Sequence, residues 1–300
     1  MNRRNFIQNS SLAFGGLMMP SNSLVSNFLF DDPFKIKLVR DNVSVFTEKG
    51  GTIGFLQTKN HFAVVDSQFQ DQATHLITEL KKLSENSIKF LINTHHHGDH
   101  TSGNIAFKGL VEHVVAHENS LLNQTNSAKT NKTEDKQLYP DVTFSDKWKT
   151  KIDTETIRAH YFGAGHTNGD SLIHFEHSNV LHMGDLMFNR RYPYIDKSAG
   201  ANISNWISVL DKTISTFDND TIFVFGHAFE PEKITGNKED IKVFKDYLEK
   251  LLTQISSEIK SGKSKEEILK ITSINGVTEM KGDGIARSLT AAFEELSVKP

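Results

Sequence analysis

Seven side chains in this 300-residue chain have the types and order that metal chemistry needs: His95, His97, Asp99, His100, His166, Asp185 and His227. Five imidazoles and two carboxylates make a ligand set for two metal ions. Four of the seven sit in Thr94-His95-His96-His97-Gly98-Asp99-His100. Side chains alternate along an extended segment, so His95 and His97 point to one side and His96 faces away as packing or support. Gly98 is expected to turn the backbone sharply and aim Asp99 and His100 at a second, adjacent position. Imidazole with carboxylate suits zinc, whose catalytic sites keep a position open for water or substrate. Iron or manganese can occupy the same ligands.

The elements that must position these residues are legible around them. The apolar run 88–92 reads as a buried strand, so the histidines begin where that strand ends, in the crevice where open α/β sheets bind ligands. Residues 180–183 and 221–225 read as strands leading to Gly184-Asp185 and Gly226-His227, and Gly165 likewise precedes His166. Upstream, 34–39, 43–47, 53–57 and 62–66 read as strands separated by Asp-Asn, Gly-Gly and Lys-Asn turns. Ala73, Leu76, Ile77, Leu80 and Leu83 fall at helical spacing. A strand at 111–116 and a helix from Glu118 follow, and the polar stretch 123–136 reads as a loop or a loosely packed helix edge. Further on come strands at 156–161, 171–175 and 179–183, then a helix carrying Ile203, Trp206, Ile207, Leu210, Ile214 and Phe217 on one face. An amphipathic helix through Ile241, Phe244, Leu248, Leu251 and Ile255, a short one with Ser264 and Glu267 in capping-box spacing, and a last one at 285–296 complete the pattern.

The His-x-His-x-Asp-His motif at 95–100, with His166, Asp185 and His227 following in order, resembles the metallo-β-lactamase superfamily over nearly all of the chain beyond residue 30. The resemblance implies an α/β fold, the four-layer αββα sandwich, over residues 31–300. It implies that His95, His97 and His166 hold the first metal, Asp99, His100 and His227 the second, and that Asp185 bridges. It implies a hydrolase in which water between two zinc ions, acidified to about neutral pH, attacks a polarised carbonyl. Asp99 is the expected catalytic residue, orienting that nucleophile and moving its proton. The best-known metallo-β-lactamases carry cysteine where Asp185 stands, whereas glyoxalase II-like thioesterases, lactonases and phosphodiesterases resemble this chain in using aspartate. The expected target is therefore an ester, lactone, thioester or amide bond of a small molecule, with β-lactam hydrolysis as the alternative. The competitor from another class is a metal-binding or sensory protein without turnover.

The segment 187–196, Met-Phe-Asn-Arg-Arg-Tyr-Pro-Tyr-Ile-Asp, resembles a stretch that follows the same Gly-Asp in exported members of the superfamily. Arg190 and Arg191 are candidates to bind a substrate carboxylate with two parallel hydrogen bonds, and Tyr192 and Tyr194 to line the pocket. Gly226-His227-Ala228-Phe229 departs from the Gly-His-Gly-Pro of many relatives, which keeps the ligand and alters the loop. His61, His75, His113, His117, His160, His174, His177 and His182 match no motif position and read as core or surface residues. His182, three residues before Asp185, stands nearest to a ligand-orienting role.

Composition bounds the remaining classes. An apolar content of 37% over 300 residues supports a substantial core. The formal net charge is -3, and without Arg3 and Arg4 it becomes -5, 32 cations against 37 anions. No long basic run offers phosphate contacts, so nucleic acid is not an expected partner. Residues 1–30 read as a twin-arginine-like export signal, with Arg3-Arg4 ahead of the short apolar run 12–19, and imply a periplasmic protein. That run is too short for a stable membrane anchor, and a chain without cysteine has neither disulfides nor a lipoprotein anchor. The expected partner is a small-molecule substrate, with oligomeric state left open.

Overall fold

Side-chain alternation sends each strand's residues to two different cores, and that decides the architecture. The computed structural model describes residues 33–297; the export-signal reading of residues 1–30 lies outside them. The first half runs β1 (Lys35–Arg40), β2 (Val43–Thr47), β3 (Ile53–Gln57), β4 (His61–Val65), α1 (Gln70–Leu83), β5 (Ser87–Ile92), α2 (Gly98–Thr101), β6 (Val111–His117), α3 (Glu118–Asn131) and β7 (Val142–Phe144). Its seven strands form one sheet in chain order, antiparallel from β1 to β4 and parallel from β4 to β7. The second half runs β8 (Lys147–Ile152), β9 (Glu155–His160), β10 (Leu172–Phe175), β11 (Val180–His182), β12 (Phe188–Asn189), α4 (Ile203–Thr216), β13 (Ile222–Val224), β14 (His227–Ala228), β15 (Thr235–Gly236), α5 (Lys238–Lys260), α6 (Lys265–Ile268) and α7 (Ile285–Ser297). Its six-stranded sheet has the order β15-β13-β11-β10-β9-β8, and β12 pairs with β14 beside it.

Between the sheets, Val43, Val45, Ala63, Val65, Phe90 and Ile92 of the first pack with Ile157, Ala159, Ile173, Phe175 and Val224 of the second. The alternate residues Phe62, Val64 and Leu91 turn outward onto Ala73, Leu76, Ile77 and Leu80 of α1. The outer face of the second sheet, with Leu172, Leu181 and Phe223, is covered by α4, α5 and α7 through Ile203, Trp206, Phe244, Leu248 and Leu289. Helices outside two facing sheets make the αββα sandwich. Parallel pairs β4/β5 and β11/β13 direct their carboxyl ends to one edge, and the motif loops leave from there. Among the described residues no helix is long and apolar enough to cross a membrane.

Local expectations meet mixed outcomes. Gly98 turns the chain by opening the one-turn helix α2, and that helical turn sets Asp99 and His100. Of the two readings of 123–136, the helix edge holds for 123–131, which continues α3, and a three-residue 3-10 turn follows at Glu134–Lys136. Phe217 lies just past the end of α4, although it is buried in the same core. The strands β7 and β8 and the short β12, β14 and β15 were not anticipated.

Candidate metal centre

The seven candidate ligands converge at the edge where the loops after β5, β9, β11 and β13 meet. His166 Nε2 lies 2.8 Å from His97 Nδ1, and His95 Nε2 lies 3.1 Å from the same atom. Across from them, His227 Nε2 is 3.1 Å from Asp99 Oδ2. Asp185 stands between the two groups and gives one oxygen to each. Its Oδ2 is 3.5 Å from His166 Nε2 and 3.9 Å from His95 Nε2, while its Oδ1 is 3.0 Å from His100 Nε2 and 3.4 Å from His227 Nε2. Gly226 permits this approach, because a Cβ there would overlap the Asp185 carboxylate.

Proton placement tests whether metals fit. Thr94 Oγ1 donates to Asp66 Oδ2 and so accepts from His95 Nδ1. His97 Nε2 donates to Asp196 Oδ2 at 2.8 Å, and His166 Nδ1 donates to the Tyr194 carbonyl at 2.7 Å. Each neutral ring has one N–H, so the three converging nitrogens, Nε2 of His95, Nδ1 of His97 and Nε2 of His166, present lone pairs to one another. Such lone pairs repel unless a cation lies among them. On the other side His100 Nδ1 donates to Asp66 Oδ2 at 2.7 Å. That leaves His100 Nε2 and Asp185 Oδ1 buried and without hydrogen-bond partners, a costly arrangement for polar atoms. Both ligand groups therefore fit a cation.

The electrostatics differ between the two groups. Burial, with the surrounding imidazoles, pushes His95 well below the usual histidine value and His166 to about 3, which keeps both rings neutral as ligands must be. Burial would also lower His100 and His227, but the carboxylates of Asp185 and Asp99 outweigh it, raising His100 well above the usual value and His227 to about 9. In Asp99 the opposing effect of burial is overcome by His100 and His227, which bring its carboxyl to about 2.

Two supporting carboxylates carry no role in the sequence reading. Asp66, just beyond β4, accepts from Thr94 N, Thr94 Oγ1 and His100 Nδ1, which fixes both the motif loop and the His100 tautomer. Asp196 accepts from His97 Nε2, Ser198 Oγ and Ala199 N. The signal was modest: Asp66 ends an apolar run, and Asp196 closes the segment 187–196. His96 is buried beside the ligands, its Nε2 3.9 Å from Asp196 Oδ2 and beyond hydrogen-bond distance. His182 is buried too, donating to the Thr52 carbonyl and accepting from Gly184 N; it holds the turn that presents Asp185. The other seven unmatched histidines join no ligand group.

Over the ligands opens a pocket of about 340 Å³ that includes Asp99, Phe188, Arg191, Tyr192, Tyr194 and Arg287. Arg191, Tyr192 and Tyr194 thus stand where substrate contacts were expected. Arg190 does not, and its candidate role is corrected. At φ +55 it turns from the metals, and its guanidinium binds Asp240, Glu279 and Asn189, so it ties the segment to the start of α5. Arg287, on α7 and sixty positions beyond His227, had no motif to announce it.

Comparison with known proteins agrees with this geometry. The family model of the metallo-beta-lactamase superfamily matches residues 46–227, a span that contains all seven candidate ligands. Among curated proteins none matches. Among solved structures, the stereoselective inverting sec-alkylsulfatase Pisa1 from Pseudomonas sp. superposes with a TM-score of 0.71 at 12% identity, over 87% of this chain and 50% of that one. A double mutant of that sulfatase gives 0.69 at 12% identity, again over 87% of this chain and 50% of its own. This chain therefore spans about half the length of the alkylsulfatase. A metallo-beta-lactamase from Pontibacter korlensis superposes with a TM-score of 0.59 at 19% identity, over 72% of this chain and 99% of that one. At such identities the likeness is one of fold. With the matched family model spanning more than half of its length, the chain belongs to the metallo-beta-lactamase superfamily.

Proposed function

We propose that this chain is a hydrolase that binds two zinc ions and cleaves an ester, lactone, thioester or amide bond of a small molecule. The observation that carries the reading is the Asp185 carboxylate, whose two oxygens face two separate ligand groups. His95, His97 and His166 would hold one ion, Asp99, His100 and His227 the other, and Asp185 both. Bound metal supplies Lewis acidity and a water acidified to about neutral pH.

The chain's own residues divide the remaining work. Asp99 is 31% exposed at the pocket while Asp185 is 4% exposed, so Asp99 is the ligand carboxylate that an incoming water can reach. With its pKa lowered to about 2, it is ionised at neutral pH and can accept a hydrogen bond from that water and orient it, and because a metal-bound water is already acidified, the proton it gives up needs only a weak base nearby. Phe188, Tyr192 and Tyr194 line the pocket and offer ring surfaces against which a substrate would pack.

The test combines zinc analysis with a panel of p-nitrophenyl esters, homoserine lactones, thioesters, nitrocefin and bis(p-nitrophenyl) phosphate. Two zinc ions per chain and turnover of a carbonyl substrate are expected. Turnover of nitrocefin alone would favour the β-lactamase alternative, and two zinc ions with no turnover on any member would favour a metal-binding or sensory protein.

A further inference from the structure

Five arginines lie among the described residues, and their partners separate them into two groups. Arg40, Arg158 and Arg190 pair with the carboxylates of Asp220, Glu176 and Asp240. Among the described residues Arg191 and Arg287 pair with none, and both line the metal pocket. Arg287 comes from the first turn of α7, its guanidinium 5.8 Å from the centre of the Tyr194 ring. Its placement is built by backbone contacts. Lys281 N donates to the Arg190 carbonyl and Arg191 bridges Lys281, so the chain entering α7 runs against the segment that carries Arg191. Gly284 then takes φ +133, where a Cβ would meet Tyr192 Cβ at 3.0 Å; only glycine brings the turn this close and hands the chain to α7.

A guanidinium without a carboxylate partner, at the mouth of a pocket, presents a planar fork of donors that matches oxyanion oxygens. Two divalent ions would balance the four carboxylates of Asp66, Asp99, Asp185 and Asp196 at the centre, so the two arginines at the same pocket leave it locally cationic in a chain whose net charge is -3. Such a local field draws in anions and leaves neutral molecules unfavoured. We propose that Arg191 and Arg287 form an anion-recognition pair, and that the pocket selects small molecules carrying an oxyanion such as a carboxylate, phosphate or sulfate group. The proposal deepens the hydrolase reading by naming a substrate class and rests on it only for the reaction. The binding stands separately.

Calorimetric titration of the zinc-loaded full chain tests this with 3-phenylpropionate, phenyl phosphate and phenyl sulfate against the neutral 3-phenylpropionamide. At least one anion should bind about tenfold or more tightly than the amide. Arg191→Met and Arg287→Met should each weaken that anion by about fivefold, a modest value because both side chains are exposed, and leave the amide unchanged. Arg287→Lys should recover part of the loss. An unchanged melting temperature in each variant will show that the fold is intact. Equal binding of anions and amide by the natural protein, or an anion preference undiminished in the double Met variant, overturns the proposal. Arginine-dependent anion binding with no turnover on any member of the substrate panel would count against the hydrolase reading and leave this one standing; turnover with arginine-independent binding does the reverse.

Discussion

Asp66 holds three donors with two oxygens, and the metal site depends on it without its being a ligand. Asp66→Asn keeps the volume but places an N–H₂ against the donors of Thr94 or His100. Zinc affinity is expected to fall about 10- to 100-fold, measured by competition with a chromophoric chelator; an unchanged affinity would remove Asp66 from the account. Asp99 makes the complementary case. Asp99→Asn should retain most of the zinc and lower kcat by about 10²- to 10⁴-fold, and undiminished turnover would sink the proton-handling role. At this scale the ligands were readable because each is a chemically distinctive residue at fixed spacing. Asp66, Asp196 and Arg287 were not, because what they do depends on which side chains the fold brings beside them.

The helices differ in how openly the sequence declares them, and the reason is what each buries. The stripe on α4, Ile203, Trp206 and Leu210, is buried as its spacing predicts. On α3 the buried residues are Ser120, Gln124 and Ala128, which are small or polar, so helical spacing is present without hydrophobic contrast. In β8, Trp148, Thr150 and Ile152 alternate with exposed lysines, a strand signal that the three lysines obscured. The start of α4 is tied down by another element: Ile203 N and Ser204 N donate to Glu295 of α7, and Lys197 Nζ joins them. Burial would raise the Glu295 carboxyl, but these donors outweigh it and hold it below its ordinary value of 4.5. A lowered folded-state pKa stabilises the protein above the unfolded value, and this contribution is lost as pH falls through the folded one. Glu295→Gln should therefore cost about 1–2 kcal/mol at pH 7, with the gap from the natural protein narrowing below about pH 4.5. Urea denaturation at pH 7 and pH 3.5 checks this, and a gap independent of pH would contradict it.

Across the whole molecule the ligands come from both halves, His95 to His100 from the first sheet's edge and His166, Asp185 and His227 from the second's. Metal binding at the centre should therefore couple the two sheets. Removing zinc with a chelator is expected to lower the melting temperature by about 10 °C, on the order of 4 kcal/mol of binding-linked stability at zinc well above Kd; a melting temperature indifferent to zinc would mean that the halves do not meet through the metals. The layered fold was legible in the alternating strands and flanking amphipathic helices. The pocket was less so, since its mouth joins segments about a hundred residues apart, Arg191 and Arg287. The most direct test of the central claim is an anomalous difference map at the zinc edge from zinc-loaded crystals. Two peaks are predicted, one among His95, His97 and His166 and the other among Asp99, His100 and His227, each adjoining a different oxygen of Asp185. A single peak, or two that do not share Asp185, would contradict the account.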